Sequence, residues 1–338
     1  MGTGQTIITR KTRCAIFLTL LIEPGGEGAV RDGLAELPGL VTAVGSRAPE
    51  AALTAIAAVG SDAWDRLFTG PRPAELRPFT ELVGQTHTAP ATPADLLLHI
   101  KADQMDLCYE AGRKITGLFG DAVRTAEEVH GFRYFDLRDL IGFVDGTENP
   151  VGQEALDAIL VGDEDRAFAG GSYVVIQRYI TDFAGWEALT VEEQERAIGR
   201  TKLENIEMDD ETKPANSHIA LNVIEDADGN EIDVVRDNMP YGDIAGSGEK
   251  GTFYIAYSRS PQVSEDMLRN MFIGDPPGNH DRLLDFTTAV TGAQFFAPPM
   301  EFLDDLPPAP PATAAAPAED DVPAVRPADG SLGIGALR

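Results

Sequence analysis

The chain has 338 residues, 43% of them apolar and 24% charged, with a net charge of −28. That is the make-up of a folded, water-soluble protein with room for two domains. So negative a field repels nucleic acid and anionic membranes, and two lone cysteines, Cys14 and Cys108, exclude a disulfide framework and suit a reducing cytosol.

The first apolar run, 14–22 (CAIFLTLLI), follows Arg10, Lys11 and Arg13 and imitates a short signal peptide. No small-x-small cleavage site or twin-arginine pair accompanies it, and nine residues cannot span a bilayer. It reads as a buried strand. Residues 27–44 read as a helix through Val30, Leu34, Leu37 and Leu40, and LTAIAAVG as a short strand. Residues 94–101 (ADLLLHIK) make a third strand, Asp103 caps a helix running to Leu118 and Phe119, and 122–135 is extended. The order β-α-β-β-α-β is the ferredoxin-like pattern.

A similar order recurs downstream. Residues 172–181 are a strand, and Trp186 to Ile198 an amphipathic helix entered through Thr190 and Glu192–Glu193. His218 to Ile224 and Glu231 to Arg236 read as strands around an Asp228-Gly229 turn, and Thr252 to Ser258 as another. Ser264 to Phe272 and Arg282 to Val290 read as helices, with a last strand at 293–297. The expected class is therefore α+β: two ferredoxin-like domains with antiparallel sheets, 1–139 and 140–303. Residues 304–328 are a Pro/Ala-rich linker without core-forming side chains, and 329–338 (DGSLGIGALR) regain spaced aliphatics at Leu332, Ile334 and Leu337.

HExxH, zinc-type Cys/His spacing, Walker and GxSxG motifs are absent, and the glycine cluster at Gly246-Ser247-Gly248 lacks the strand–loop–helix context of a phosphate site. What stands out is GFVDGTENP, residues 142–150. Gly142, Gly146 and Pro150 break helix and strand around a single acid, Asp145. By residue type this is a surface turn with a capping Asp or a carboxylate presented to a ligand. His218, in ANSHIALN, sits at an element boundary beside apolar residues. Arg236, Asp237 and Asn238 end an extended run before a proline-containing turn.

The nonapeptide resembles the signature of the dye-decolourising peroxidases, and the His218 and Arg236 segments follow in that family's order. The resemblance covers roughly 8–303 and is nearest the cytoplasmic bacterial type B branch. It implies a non-covalent haem b, bound mainly by the second domain, and peroxide-driven oxidation of phenolic, dye-like or Mn(II) donors. It implies His218 as proximal iron ligand, with a carboxylate behind it; Asp285 is the first choice and Asp281 the second. Asp145, Arg236 and Asn238 would line the opposite, distal face. Glu148, Glu207 and Glu231 are candidate manganese ligands, and Trp186 or Tyr241 candidate electron relays. Residues 329–338 resemble peptides that load such peroxidases into encapsulin shells, which implies a shell partner and a cytoplasmic nanocompartment. A homo-oligomer is implied too. A deferrochelatase-like iron release or a non-catalytic haem carrier is the alternative; both need His218, and neither needs Asp145 with Arg236.

Overall fold

The computed structural model describes residues 5–245 and 248–311. The 329–338 peptide and most of the linker lie outside the described residues. The first half runs β1 (Cys14–Ile22), α1 (Glu27–Gly45), β2 (Thr54–Gly60), α2 (Ser61–Leu67), a small hairpin of β3 (Leu82–Val83) and β4 (Thr88–Ala89), β5 (Leu96–Ala102), α3 (Met105–Phe119) and β6 (Val123–Phe132). The second half runs α4 (Gly152–Ile159), β7 (Ser172–Thr181), α5 (Phe183–Glu187), α6 (Val191–Ile198), α7 (His218–Asn222), β8 (Val235–Arg236), β9 (Met239–Gly242), β10 (Lys250–Ser258), α8 (Pro261–Phe272), β11 (Thr287–Ala289), β12 (Ala293–Ala297) and α9 (Met300–Asp304).

The main strands form one antiparallel sheet in the order β6-β1-β5-β2-β12-β7-β10-β8. Its first four strands have the ferredoxin-like order 4-1-3-2, counted along their half. So do the last four, with β8 and β9 sharing the second position beside β10. The α+β duplication is thus present, with the two half-sheets joined where Phe295 and Phe296 of β12 pair with Gly60 and Val59 of β2. A bulge between Thr19 and Leu20 interrupts the β1–β6 register.

Strand alternation sends successive side chains to opposite faces. On one face of the first half, Ile16, Leu18 and Leu20 pack under Val30, Leu34 and Leu37 of α1 and Leu107, Ala111 and Ile115 of α3. The opposite face carries Ala15, Phe17 and Leu97, which meet Val174, Ile176, Phe253, Ile255 and Phe295 of the second half in a shared core. Phe17 stacks on Phe253 at 4.1 Å between ring centres. The alternate residues of β7 and β10 (Tyr179, Thr181, Thr252 and Tyr254) therefore face outward, toward α7 and α8, and line a cavity.

Local structure departs from expectation in five places. His218–Asn222 is a helical turn, not a strand: Ser217 Oγ accepts from Ala220 N, and Asn222 bonds back to the His218 carbonyl. Of 231–236 only Val235–Arg236 is strand. Arg282–Val290 is a 3₁₀ turn (Arg282–Asp285) followed by β11, because the β-branched Thr287 and Thr288 pair with β7. Trp186–Ile198 is two helices, since Thr190 with Glu193 forms a capping box that starts α6 afresh. Asp103 is not the α3 cap; Gln104 takes that place, and Asp103 accepts from Arg13 N and pairs with Arg10.

Candidate active site

A partly open cavity lies outside β7 and β10. Asp145, His218, Arg236 and Asn238 all line it, with apolar walls from Ile141, Phe143, Ile198, Leu268, Met271 and Leu283.

Asp145 is held by its own loop. Its N–H donates to Leu137 O at 2.8 Å, and Arg138 pairs across the turn with Val144. Gly142 has φ +96°, a conformation that strains any residue with a side chain, and a Cβ there would also displace the end of Lys202. Asn238 Nδ2 donates to Asp145 Oδ1 at 3.3 Å, while its Oδ1 accepts from Ile255 N at 3.0 Å. The amide is thereby fixed with its donor end toward the acid.

The last polar residue of the nonapeptide, Asn149, reaches β8. Its Nδ2 donates to Arg236 O at 2.6 Å, and Arg236 N donates to its Oδ1 at 3.0 Å. Lys11 Nζ also donates to Arg236 O, at 2.8 Å. Asn149 thus holds the arginine's backbone from both sides, a role the sequence reading missed. Behind this strand Asp237 is buried between Lys101 (2.6 Å) and Lys11 (3.2 Å). Burial pushes its carboxyl up, but the two ammonium charges win and hold it well below the usual carboxylate range.

His218 projects from the first turn of α7. Its Nδ1 lies 2.6 Å from Oδ2 of Asp281, which is fully buried and whose Oδ1 accepts from Leu283 N at 2.8 Å. The carboxylate behind His218 is therefore Asp281 and not Asp285. A single residue of a helical turn caps that turn and faces inward, whereas Asp285, at the far end, points to His87 and His280 at 3.2 and 3.0 Å. An aspartate just before a helical turn is the signal that would have favoured Asp281.

Two further cavity residues had no signal in sequence. Asp139 accepts from Thr252 Oγ1 and from Ile141 N at 2.9 Å. Burial pushes its carboxyl up, these hydrogen bonds pull it back, and the nearby Asp145 adds to the rise. Tyr254 is likewise raised by burial, with Arg236 opposing.

The three candidate manganese ligands lie near one another, but basic side chains already engage two of them. Arg200 contacts both Glu148 and Glu207, and Lys213 Nζ lies 2.7 Å from Glu207. Burial raises the Glu231 carboxyl, and the charges of Asp233, Glu148 and Glu207 raise it further. The two proposed relays are buried: Trp186 donates to Ile141 O at 3.1 Å, and Tyr241 contacts Arg178.

The cavity fits a haem on observations of its own. Asp281 fixes one imidazole nitrogen of His218 and leaves the other for a metal. Arg236 Nε is buried with no hydrogen-bond partner among the described residues, a donor waiting for an acceptor. Much of the remaining wall is apolar, from Ile141, Phe143, Ile198, Leu268, Met271 and Leu283, as a macrocycle requires.

Among the described residues no helix is long and apolar enough to cross a membrane. Residues 4–133 match the family model described as Dyp-type peroxidase, N-terminal, and 136–302 that described as Dyp-type peroxidase, C-terminal. Dye-decolorizing peroxidases of Rhodococcus erythropolis and Mycobacterium tuberculosis are each 57% identical to the chain, over 99% of it and 96% of the relative. The encapsulated DyP-type peroxidase from Mycobacterium smegmatis superposes with a TM-score of 0.90 at 58% identity, over 92% of this chain and all of that one. DypB from Rhodococcus jostii RHA1 superposes at 0.87 and 49% identity, covering 90% and 98%; a variant of it is described in complex with haem. With models covering both halves and relatives aligned along nearly its whole length, this chain belongs to the Dyp-type peroxidase family.

Proposed function

We propose that this Dyp-type peroxidase binds haem b non-covalently in the cavity outside β7 and β10, with His218 as the iron ligand and Asp145, Arg236 and Asn238 on the opposite face. Bound haem supplies the redox-active iron that peroxide oxidises and that organic donors reduce again. The protein's own residues do the rest. Asp281 accepts from His218 Nδ1 at 2.6 Å, which holds the imidazole in one tautomer and makes it a stronger donor. Asp145 takes a proton from one peroxide oxygen and returns it to the other, oriented for both by Asn238. The Arg236 guanidinium is permanently charged and stabilises the negative charge that builds on the departing oxygen. Ile141, Phe143 and Leu283 limit water in the cavity and strengthen these charge interactions.

The observation that carries this reading is the convergence of His218, Arg236, Asp145 and Asn238 on one cavity, from three separate stretches of chain. Mixing the haem-loaded protein with one equivalent of hydrogen peroxide in a stopped-flow spectrometer tests it. Arg236→Leu should slow the change in the haem absorption band by about 100-fold or more, the cost of removing a preorganised charge donor. A rate within about two-fold of the parent would overturn Arg236's role. Phenolic and dye-like molecules are the proposed donors. Manganese(II) would first require Arg200 to leave Glu148 and Glu207.

The domains proposed are 1–139 and 140–303, followed by the 304–328 linker and the 329–338 peptide. That peptide would dock on an encapsulin shell, placing a homo-oligomeric enzyme in a cytoplasmic compartment. The encapsulated relative, 58% identical, supports this reading.

A further inference from the structure

A second constellation lies outside the cavity. His87 comes from the β3–β4 hairpin, His280 from the loop after α8, and Asp285 from the end of the 3₁₀ turn. Both imidazoles direct Nε2 at the same carboxylate oxygen, Asp285 Oδ1, from 3.2 and 3.0 Å. The rings stand 4.7 Å apart and 68° from parallel, and all three ligand atoms lie within 4.8 Å of one another. Among the described residues this is the one such group of His, Cys, Asp and Glu.

Two nitrogens converging on one oxygen can mean two hydrogen-bond donors or the ligands of a cation. Separations of 3.2 and 3.0 Å suit either, and a tetrahedral cation fits them. Zinc bonds of about 2.0–2.2 Å in a tetrahedron separate the ligand atoms by about 3.3 Å. The two Asp285 edges, 3.2 and 3.0 Å, are already near that value, and the His87–His280 edge is no longer than 4.8 Å. The ligands are also preplaced. Gly84 N donates to His87 O at 2.9 Å, and a Cβ on Gly84 would stand 1.9 Å from Phe272 O, so the hairpin is pressed onto the end of α8. On the other side, Arg282 Nε stands 3.5 Å from Asp285 Oδ2 and leaves Oδ1 free to face the histidines. Side-chain exposures of 20%, 24% and 38% let an ion enter and keep a fourth position for water.

We propose that His87, His280 and Asp285 form a second metal site that takes a divalent transition ion, zinc above all. Two imidazoles and one carboxylate suit zinc better than magnesium or calcium, which prefer all-oxygen shells. The net charge of −28 raises the local cation concentration. The ion would pin the β3–β4 hairpin to the segment that contains Asp281, which lies between the two ligands in sequence and faces His218.

Equilibrium dialysis of untagged, haem-loaded full-length protein against zinc, after chelator treatment, tests this, with zinc and iron counted separately by mass spectrometry. One zinc per chain is expected. His87→Ala and Asp285→Ala should each weaken binding at least about ten-fold, while His130→Ala, an exposed histidine beside Glu128, should not. No zinc retained by the parent, or equal affinity in parent and ligand variants, would overturn the proposal. Zinc-edge X-ray absorption on the parent needs no variant to fold. Two imidazole nitrogens in the first shell support the site, and a shell of oxygen alone sinks it.

Discussion

Asp281→Asn is the sharpest perturbation of the candidate centre. The native carboxylate accepts twice, from His218 Nδ1 at 2.6 Å and from Leu283 N at 2.8 Å. Asparagine keeps one acceptor, and the turn geometry commits it to Leu283. Its NH₂ then faces His218, and two donors meet. The imidazole escapes by moving its proton to Nε2, the nitrogen that a metal needs bare. A hydrogen bond to a charged group contributes about 1.5–3 kcal/mol. At about 1.4 kcal/mol per decade, the substitution should weaken haem binding or peroxide reactivity by roughly 10- to 150-fold. Haem affinity is read by competition with a haem-scavenging apoprotein, and reactivity by stopped-flow mixing with peroxide. The fold should survive, since the cap to Leu283 is retained. Both quantities within about two-fold of the parent would refute the assignment of Asp281 as the residue that tunes His218.

Other outcomes follow from the strand behind the cavity and from the tail. Asn149→Ala removes both hydrogen bonds to the Arg236 backbone; it should leave haem affinity nearly unchanged while slowing the reaction with peroxide about ten-fold, since a loosely held charge is a poorer one. Lys101→Met strips the nearer cation from buried Asp237 and should cost about 3 kcal/mol in urea unfolding, the low end for a broken buried pair because Lys11 remains. Asp237 is held below the ordinary carboxylate range, so its ionised form stabilises the fold above the unfolded-state pKa of about 3.9 and loses that contribution as pH falls toward the folded value. The stability gap between the parent and Asp237→Asn should accordingly be full at pH 6 and shrink below about pH 4. Truncation after Val325, with a shell protein co-expressed, should abolish loading; undiminished loading would end the targeting assignment.

How legible the chain was depended on how long each pattern ran. The nine- and ten-residue strands β1 and β7 carry their apolar signal far enough that their expected ends, 14–22 and 172–181, coincide with those found. Short patterns failed. Ile219, Leu221 and Val223 alternate like a strand, yet three residues cannot separate period 2 from one helical turn, and the Ser217 cap decides for helix. The junction of the two half-sheets was illegible, because β2–β12 pairing joins residues more than 200 positions apart. Within the candidate site, Asp145, His218, Arg236 and Asn238 could be named from their motifs. Asp281 against Asp285 turned on which end of a four-residue turn points inward, and Asp139 and Tyr254 on which strand face lines the cavity.

The double hydrogen bond between Asn149 and Arg236 gives the nonapeptide a second meaning. Three residues separate Asp145 from Asn149, and Asn149 grips the main chain of a residue 87 positions away. The motif therefore works as a spacer gauge, setting the separation between an acid on one loop and a guanidinium on another strand. Engineering that keeps Asp145 and Arg236 but rebuilds the residues between Gly146 and Pro150 would keep both functional groups and lose their spacing.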